Sequence, residues 1–361
     1  MTDIPTTMKA MVTMGHGDVD QMVLHEDWPT PSPAAGEVLI RVRACGLNNT
    51  DVNTRSGWYS KAVTERTTGG AFEEVNDEDP TWGGAPITFP RIQGADVCGE
   101  IVAVGEGVDA ARVGERIITD GWLRNLDDPD SYDNVGYFGS ECDGGFAEYT
   151  VARSNNAIQV TSDLTDAELA TFSCSYSTAE GMLTRANVTS ADTVLVPGAS
   201  GGVGGALVQL AKRRGARVIA MASEPKHADV AELGPDRILP RGPADLRGAL
   251  GDEKITVVAD VVGGDYWMTL IDILERGGRY TCSGAIAGPM VELDLRTFYL
   301  RDLTFTGSTV LTPEVTRNIV KYIEAGELKP ALAATYPLEE LREAQTEFIA
   351  KKHTGNIVVT P

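Results

Sequence analysis

The chain is expected to be an α/β protein, with a β-rich first part followed by a doubly wound parallel sheet. Three observations predict this. Residues 36–45, Gly-Glu-Val-Leu-Ile-Arg-Val-Arg-Ala-Cys, alternate with period two, as a half-buried strand does. From about Asp163 onward, apolar runs alternate with helical segments, the pattern of parallel strands joined by crossover helices. Between one such run, 193–197, and an amphipathic segment, 205–215, stands Gly198-Ala199-Ser200-Gly201-Gly202-Val203-Gly204. A glycine turn there lets a diphosphate reach bare backbone N–H groups and a helix N-terminus.

The remaining elements follow in order. Residues 97–104 and 115–118 read as further strands, with Gly and Pro between them. Thr165, followed three residues later by Glu168, carries a helix-start signature. Strands are expected at 194–196, 217–221, 256–262 and 279–283. The run 303–307 reads as an edge strand, 313–325 and 338–352 as helices, and 355–359 as a last strand. Two stretches break the pattern. Residues 60–90 are long, Gly-rich and acidic, and 127–145 are similarly irregular. Loops of this length are either lids over a site or solvated excursions, and the residues alone leave both open.

Composition narrows the function classes. A chain of 361 residues is long enough for about two domains. It holds no run of about 18 apolar residues, so no membrane helix is expected. The first residues lack the basic and apolar blocks of a signal peptide, which points to the cytoplasm. The five cysteines (Cys45, Cys98, Cys142, Cys174, Cys282) form no C-x-x-C pair, against a disulfide framework or a four-thiolate zinc site. Net charge is −21, and the basic residues are 9 Lys and 22 Arg. Such a surface repels nucleic acid and anionic membranes. Excess carboxylate with little lysine suits a high-salt interior, where ions screen self-repulsion; an ordinary acidic enzyme is the alternative. Equal stability in low and high KCl overturns the salt reading.

The glycine loop selects a nucleotide, and the next strand bears on which one. An acidic residue at the end of that strand would grip the ribose 2′-hydroxyl of NAD. Ala222 stands there, with Ser223, Glu224 and Lys226 just after. The missing carboxylate removes repulsion against a 2′-phosphate, and Ser223 and Lys226 can bind one. NADP(H) is therefore the expected cofactor, with Glu224 keeping NAD open. Val262-Gly263 and Ser283-Gly284 follow later strands, where a dinucleotide lies across the strand ends.

Several segments together resemble the medium-chain dehydrogenase/reductase superfamily. They are Met8-Lys-Ala-Met11, Pro33 to Val42, Gly94 to Gly105, Gly144-Gly-Phe-Ala-Glu-Tyr149, the glycine loop, and the tail Lys352 to Val359, where Asn356 replaces a frequent lysine. The resemblance implies a GroES-like catalytic domain, residues 1–160 and 311–361, around a Rossmann domain, residues 161–310. It implies that Thr178 lies beside the nicotinamide and Gly307-Ser308 near its carboxamide. Many members are zinc alcohol dehydrogenases. Their first cysteine ligand is matched here by Asn48, and their Gly-His-Glu triplet by Gly94-Ala95-Asp96. A catalytic zinc needs about three protein ligands. A site from Asp96 with Cys98 or Cys45 remains open beside plain packing of those cysteines. The stretch Cys45-Gly-Leu-Asn48-Asn-Thr-Asp51, then Arg55-Ser-Gly-Trp-Tyr59, resembles the zinc-free quinone oxidoreductase-like branch, although Asn53 replaces a frequent tyrosine.

The expected reaction is hydride transfer from NADPH to a quinone or an α,β-unsaturated carbonyl. The Asn48 amide and Tyr59 hydroxyl would stabilise the developing oxyanion, and Tyr59 would deliver a proton. Capping of a turn by Asn48 and packing by Tyr59 are the structural alternatives. The functional alternatives are an alcohol dehydrogenase with atypical zinc ligands, an unsaturated acyl-CoA reductase, and a non-catalytic NADPH-binding protein. Family members commonly join edge strands, so a homodimer is expected, with a homotetramer as the alternative.

Overall fold

The computed structural model describes residues 4–68, 70, 72, 86–125, 127–128, 131–133 and 135–361. Six parallel strands form one sheet, in the spatial order Arg237–Pro240, Arg217–Ala222, Thr193–Val196, Ile255–Asp260, Leu274–Cys282, Thr304–Gly307. In chain order this is 3-2-1-4-5-6, the doubly wound arrangement. The strands are apolar runs because helices cover both faces. Val194, Val196, Val218, Ala220 and Val257 face one core, and Leu195, Ile219, Met221 and Val258 face the other. Chain direction reverses sides between the Thr193–Val196 and Ile255–Asp260 strands, which opens a crevice beyond their C-terminal ends.

The second sheet is largely antiparallel. Its order is Ala157–Gln159, Arg116–Thr119, Asp96–Val104, Glu37–Gly46, Asn356–Thr360, Leu332–Pro337, with Tyr149–Arg153 also paired to Glu37–Gly46. The alternation expected at 36–45 holds from Ile40 to Ala44, while Leu39 and Cys45 are buried on the other face. The chain thus returns at its end to complete the sheet with which it began. Thr7–Thr13 and Met22–Pro29 form a further hairpin. Thr165 caps the turn Asp166–Leu169, and the Glu168 side chain accepts the Thr165 N–H in return.

Several elements escaped the sequence reading, among them the strands Thr7–Thr13, Met22–Pro29, Tyr149–Arg153 and Leu332–Pro337, and two more whose signal is weak. Arg237–Pro240 has only two apolar residues and lacks a visible period. Gly136–Tyr137 pairs with Trp122–Leu123 inside the irregular stretch 127–145. The two sheets share a core: Ala44, Cys98, Ile118 and Val358 pack in one cluster with Val194 and Leu207. That continuity fixes the cleft between them. None of the described helices is long and apolar enough to cross a membrane.

Candidate active site

The glycine loop lies where the crevice opens. Gly198 has φ of +65°, which favours glycine. A Cβ at Gly204 would stand 2.2 Å from the Gly198 carbonyl oxygen, so strand end and helix meet at a distance that only glycine permits. Gly201 caps the twelve-residue helix Gly202–Arg213, and the Gly201 N–H donates to Gly198 O at 3.1 Å. The N–H groups of Gly202, Val203 and Gly204 are in the first turn and have no acceptor within the helix, the arrangement that suits an anion. Ala199 N–H donates to Met221 O, and Ser200 O accepts from Gly355 N–H at 2.9 Å. The C-terminal tail therefore buttresses the loop.

The other expected cofactor residues fall around the same strand ends. Asp260, buried at the end of its strand, accepts N–H bonds from Val262 at 2.7 Å and Gly263 at 3.2 Å and a hydroxyl bond from Tyr280 at 2.9 Å. Ala287 N–H donates to Val262 O, which joins this loop to the one that begins at Ser283-Gly284. Arg185 donates to Gly307 O, and Ser308 Oγ is buried without a partner. Ala222 ends the second strand with Ser223 beyond it. Lys226 Nζ is turned toward the tail, where it donates to the carbonyls of Lys351 and His353.

Facing the loop is a polar cluster drawn from distant segments. Asn48 precedes the helix Asn49–Ser56, and its N–H donates to Asp51 Oδ2 at 2.7 Å. Asp96 begins the strand Asp96–Val104, and its Oδ1 accepts the Cys174 N–H at 2.8 Å. Cys174 and Thr178 are four apart on the helix Ser173–Arg185, so they share a face, and the Thr178 side chain hydrogen-bonds to the Cys174 sulfur. The Tyr137 hydroxyl donates to the same sulfur, and its ring packs edge-on against Trp122 at 4.9 Å. Tyr59 lies just beyond the C-cap Gly57, and Thr50 and Asn53 donate to its oxygen.

Burial governs the chemistry of this cluster. It pushes the Asp51 carboxyl up to about 7 against N–H donors from Asn48 and Gly94, which pull it down. It pushes Asp96 to about 8, helped by repulsion from Asp51 and opposed by Asn48 and Cys174. It raises the Tyr59 phenol to about 12 and drives the Cys174 thiol well up, so both stay protonated at neutral pH. Asn48 Nδ2 is buried and meets no acceptor in hydrogen-bond geometry, although it lies close enough to Asp96 to favour its ionised form. An unpaired buried amide donor is costly, and a polar ligand atom would satisfy it.

Sequence reasoning singled out Asn48, Tyr59 and Thr178 and missed Asp51, Asp96, Tyr137 and Cys174 as members of the same cluster. A signal existed for Cys174, one helical turn before Thr178. Asn53, the departure from the tyrosine frequent in the resembling branch, holds Tyr59 and also accepts from Thr67 Oγ1 at 3.2 Å. Thr67 N–H crosses to Ile286 O at 3.0 Å. This part of the 60–90 excursion therefore spans the cleft. Glu73, Glu74, Asp77, Glu78, Asp79 and Trp82 lie outside the described residues.

Comparison with known proteins covers both domains. Residues 34–162 match the alcohol dehydrogenase GroES-like domain, and residues 202–325 match the zinc-binding dehydrogenase family. Acryloyl-coenzyme A reductase of Metallosphaera sedula is 28% identical over 98% of this chain and 100% of its own length. Human quinone oxidoreductase is 26% identical over 98% and 97%. A crystal structure from Sinorhizobium meliloti 1021, named provisionally as an alcohol dehydrogenase, is 46% identical, with a TM-score of 0.91 over 100% of this chain and 98% of that one.

The donor set here does not fit the metal in the second family's name. Where the resemblance places ligands stand the Asn48 amide and the Ala95 methyl group. Cys45 and Cys98 are wholly buried in packed cores, and burial raises both thiols. Among the described residues no three His, Cys, Asp or Glu side chains are grouped to hold a metal ion. The cleft, its glycine loop and both domains nonetheless match relatives end to end, and identity of 46% over the whole length goes beyond shared fold. The chain belongs to the medium-chain dehydrogenase/reductase superfamily of oxidoreductases.

Proposed function

We propose that this chain is an NADPH-dependent reductase of quinones or α,β-unsaturated carbonyls that works without catalytic zinc. The observation that carries the reading is the unpaired, buried Asn48 Nδ2 in the cleft faced by the glycine loop. When bound, the nicotinamide supplies hydride to the electron-poor double bond. The protein must then stabilise negative charge on the substrate oxygen and return a proton. Asn48 Nδ2 is a preorganised donor for that oxygen in a site with little water. Tyr59 keeps its proton at neutral pH and can donate it as charge develops, while Thr50 and Asn53 stabilise the phenolate left behind. Thr178 lies on the helix face that lines the cofactor side of the cluster and is assigned to orient the nicotinamide ring.

The loop 198–204 holds the diphosphate on N–H groups. Ala222 leaves room for a 2′-phosphate, which Ser223 reads from the end of the strand. NADPH is therefore expected to give a higher kcat/KM than NADH. An unsaturated acyl-CoA thioester undergoes the same conjugate reduction, and the 28% identical acryloyl-coenzyme A reductase keeps it as the second reading.

A panel of quinones, enones, unsaturated acyl-CoA thioesters, alcohols and aldehydes, assayed with metal analysis of the same sample, tests this. Quinone or enone turnover without stoichiometric zinc is the expected result. Turnover of alcohols alone, abolished by a chelator, overturns it. Tyr59→Phe is expected to lower kcat about 10²-fold, at the low end of general acid contributions, with unchanged NADPH affinity. An unaltered kcat removes Tyr59 from the reaction.

The assembly follows from one exposed edge. Among the described residues Thr304–Gly307 pairs only with Leu274–Cys282, and Leu295, Tyr299 and Leu300 are exposed just before it. An unpaired strand beside apolar surface is covered most simply by a second copy. The double variant Tyr299→Glu, Leu300→Glu is expected to elute as a monomer where the parent elutes as a dimer, read by light scattering.

A further inference from the structure

After the helix Asn49–Ser56 the chain folds straight back over its own start. Gly57 turns it with φ of +77°. Ser60 N–H donates to Gly57 O and Val63 N–H to Ser60 O, each at 3.1 Å. Val63 is buried, and Trp58 Nε1 donates to Glu65 O at 2.9 Å, which draws the returning chain against its beginning. These bonds bring Thr67 back to the buried Asn53.

Thr67 then bonds to both sides of the cleft. Its hydroxyl donates to Asn53 Oδ1 at 3.2 Å, on the side that carries Asn48 and Tyr59. Its N–H donates to Ile286 O at 3.0 Å, in the loop that follows the Leu274–Cys282 strand. That carbonyl is itself held in place. Ile286 N–H donates to Val261 O at 3.3 Å, and Ala287 N–H to Val262 O at 2.8 Å, so the loop is fastened to the end of the neighbouring parallel strand.

The Asn53 side chain also hydrogen-bonds to the Tyr59 oxygen. An amide has an accepting end and a donating end of nearly equal shape, and its neighbours decide which end faces where. With the Thr67 hydroxyl on Oδ1, the Nδ2 end is left for Tyr59. The opposite orientation would set Oδ1 against the phenol, accept its proton in a hydrogen bond and hold that proton away from the substrate.

We propose that Thr67 is a positioning residue for proton delivery: its hydroxyl fixes the Asn53 amide with Nδ2 toward Tyr59, and its backbone bond to Ile286 ties that orientation to the cofactor side of the cleft. This rests on the reading of Tyr59 as proton donor and adds a residue outside the cluster that sets its geometry. The proton passes from the phenol to the substrate oxygen, and the charge left on the phenolate meets a donor already in place.

The test follows NADPH oxidation with 1,4-naphthoquinone and with trans-2-nonenal. Thr67→Val keeps the shape and the N–H to Ile286 but loses the hydroxyl. It is expected to lower kcat about tenfold, the worth of one hydrogen bond, with the KM for NADPH within twofold and an unchanged melting temperature. Thr67→Ala is expected to lose as much, and Thr67→Ser to return kcat to within twofold of the parent. The ratio of kcat in H2O to kcat in D2O is expected to rise in the valine variant, because proton delivery becomes the slower step; a purely structural loss leaves it unchanged. In a Tyr59→Phe background, Thr67→Val is expected to cost nothing further, since the group it positions is gone. Parent-like kcat in Thr67→Val and Thr67→Ala, or an equal loss with and without the Tyr59 hydroxyl, overturns the role of Thr67 and leaves that of Tyr59 standing. Parent-like kcat in Tyr59→Phe, or no turnover of either acceptor by the parent, overturns the reading on which it rests.

Discussion

Asn48→Ala is expected to lower kcat by about 10²–10³-fold, the usual loss when one oxyanion donor is removed. The affinity for NADPH should stay within twofold, because the proposed role of Asn48 is toward the substrate rather than the cofactor. Stability should change little, since the backbone half of the cap, Asn48 N–H to Asp51, survives the substitution. Deletion of Nδ2 also removes a buried donor whose one acceptor nearby is Asp96, outside good hydrogen-bond geometry. A purely structural Asn48 predicts the reverse pattern: lower melting temperature with kcat intact. Stopped-flow reduction alongside thermal melts separates the two. Asn48→Asp is the sharper control, as it keeps size but puts an acceptor and a third carboxyl beside Asp51 and Asp96, and it should lose at least as much rate as the alanine variant.

The legible parts of this chain were those whose signal is local. The Glu37–Gly46 strand announced itself by alternation, the Thr165–Glu168 cap by spacing, and the Gly198–Gly204 turn by glycine content between strand and helix. The run at 303–307, read as an edge strand, does form the edge of the parallel sheet as Thr304–Gly307. The polar cluster was not. Asp51, Asp96, Tyr137 and Cys174 come from four segments that only tertiary packing brings together, and Tyr137 sits on a two-residue strand with no period to read. The charge at the glycine loop was equally hidden. Lys226 was read as a ligand for a 2′-phosphate, and its ammonium instead faces carbonyls supplied more than a hundred residues later. Local pattern specifies elements; the long-range pairing that builds sites is set by the whole core.

Asp96→Asn is expected to stabilise the protein at alkaline pH while it impairs the site. Asp96 is 2% exposed, and its carboxyl titrates near 8 in the fold against 3.8 when unperturbed. Between those values the native state holds a proton that the unfolded chain has released. The unfolded state thus binds fewer protons, and this group's contribution to stability falls as pH rises from about 4 to about 8. Asp51, near 7 in the fold, adds a parallel loss that ends about one unit earlier. An asparagine stays neutral throughout and still accepts the Cys174 N–H through its Oδ1. The expected gain is largest at pH 9 and shrinks to nothing near pH 4. One new amide N–H must find an acceptor, which trims the gain but not its pH dependence. Urea melts of parent and variant at pH 5, 7 and 9 measure the slope. A variant whose stability tracks the parent's at all three values would mean that Asp96 is ionised in the native state across the range. With the protonated carboxyl replaced by an amide, the surroundings of the Asn48 donor change, so kcat should fall even as stability rises. Rate and stability moving in opposite directions would mark this buried acid as retained for chemistry at a cost to the fold.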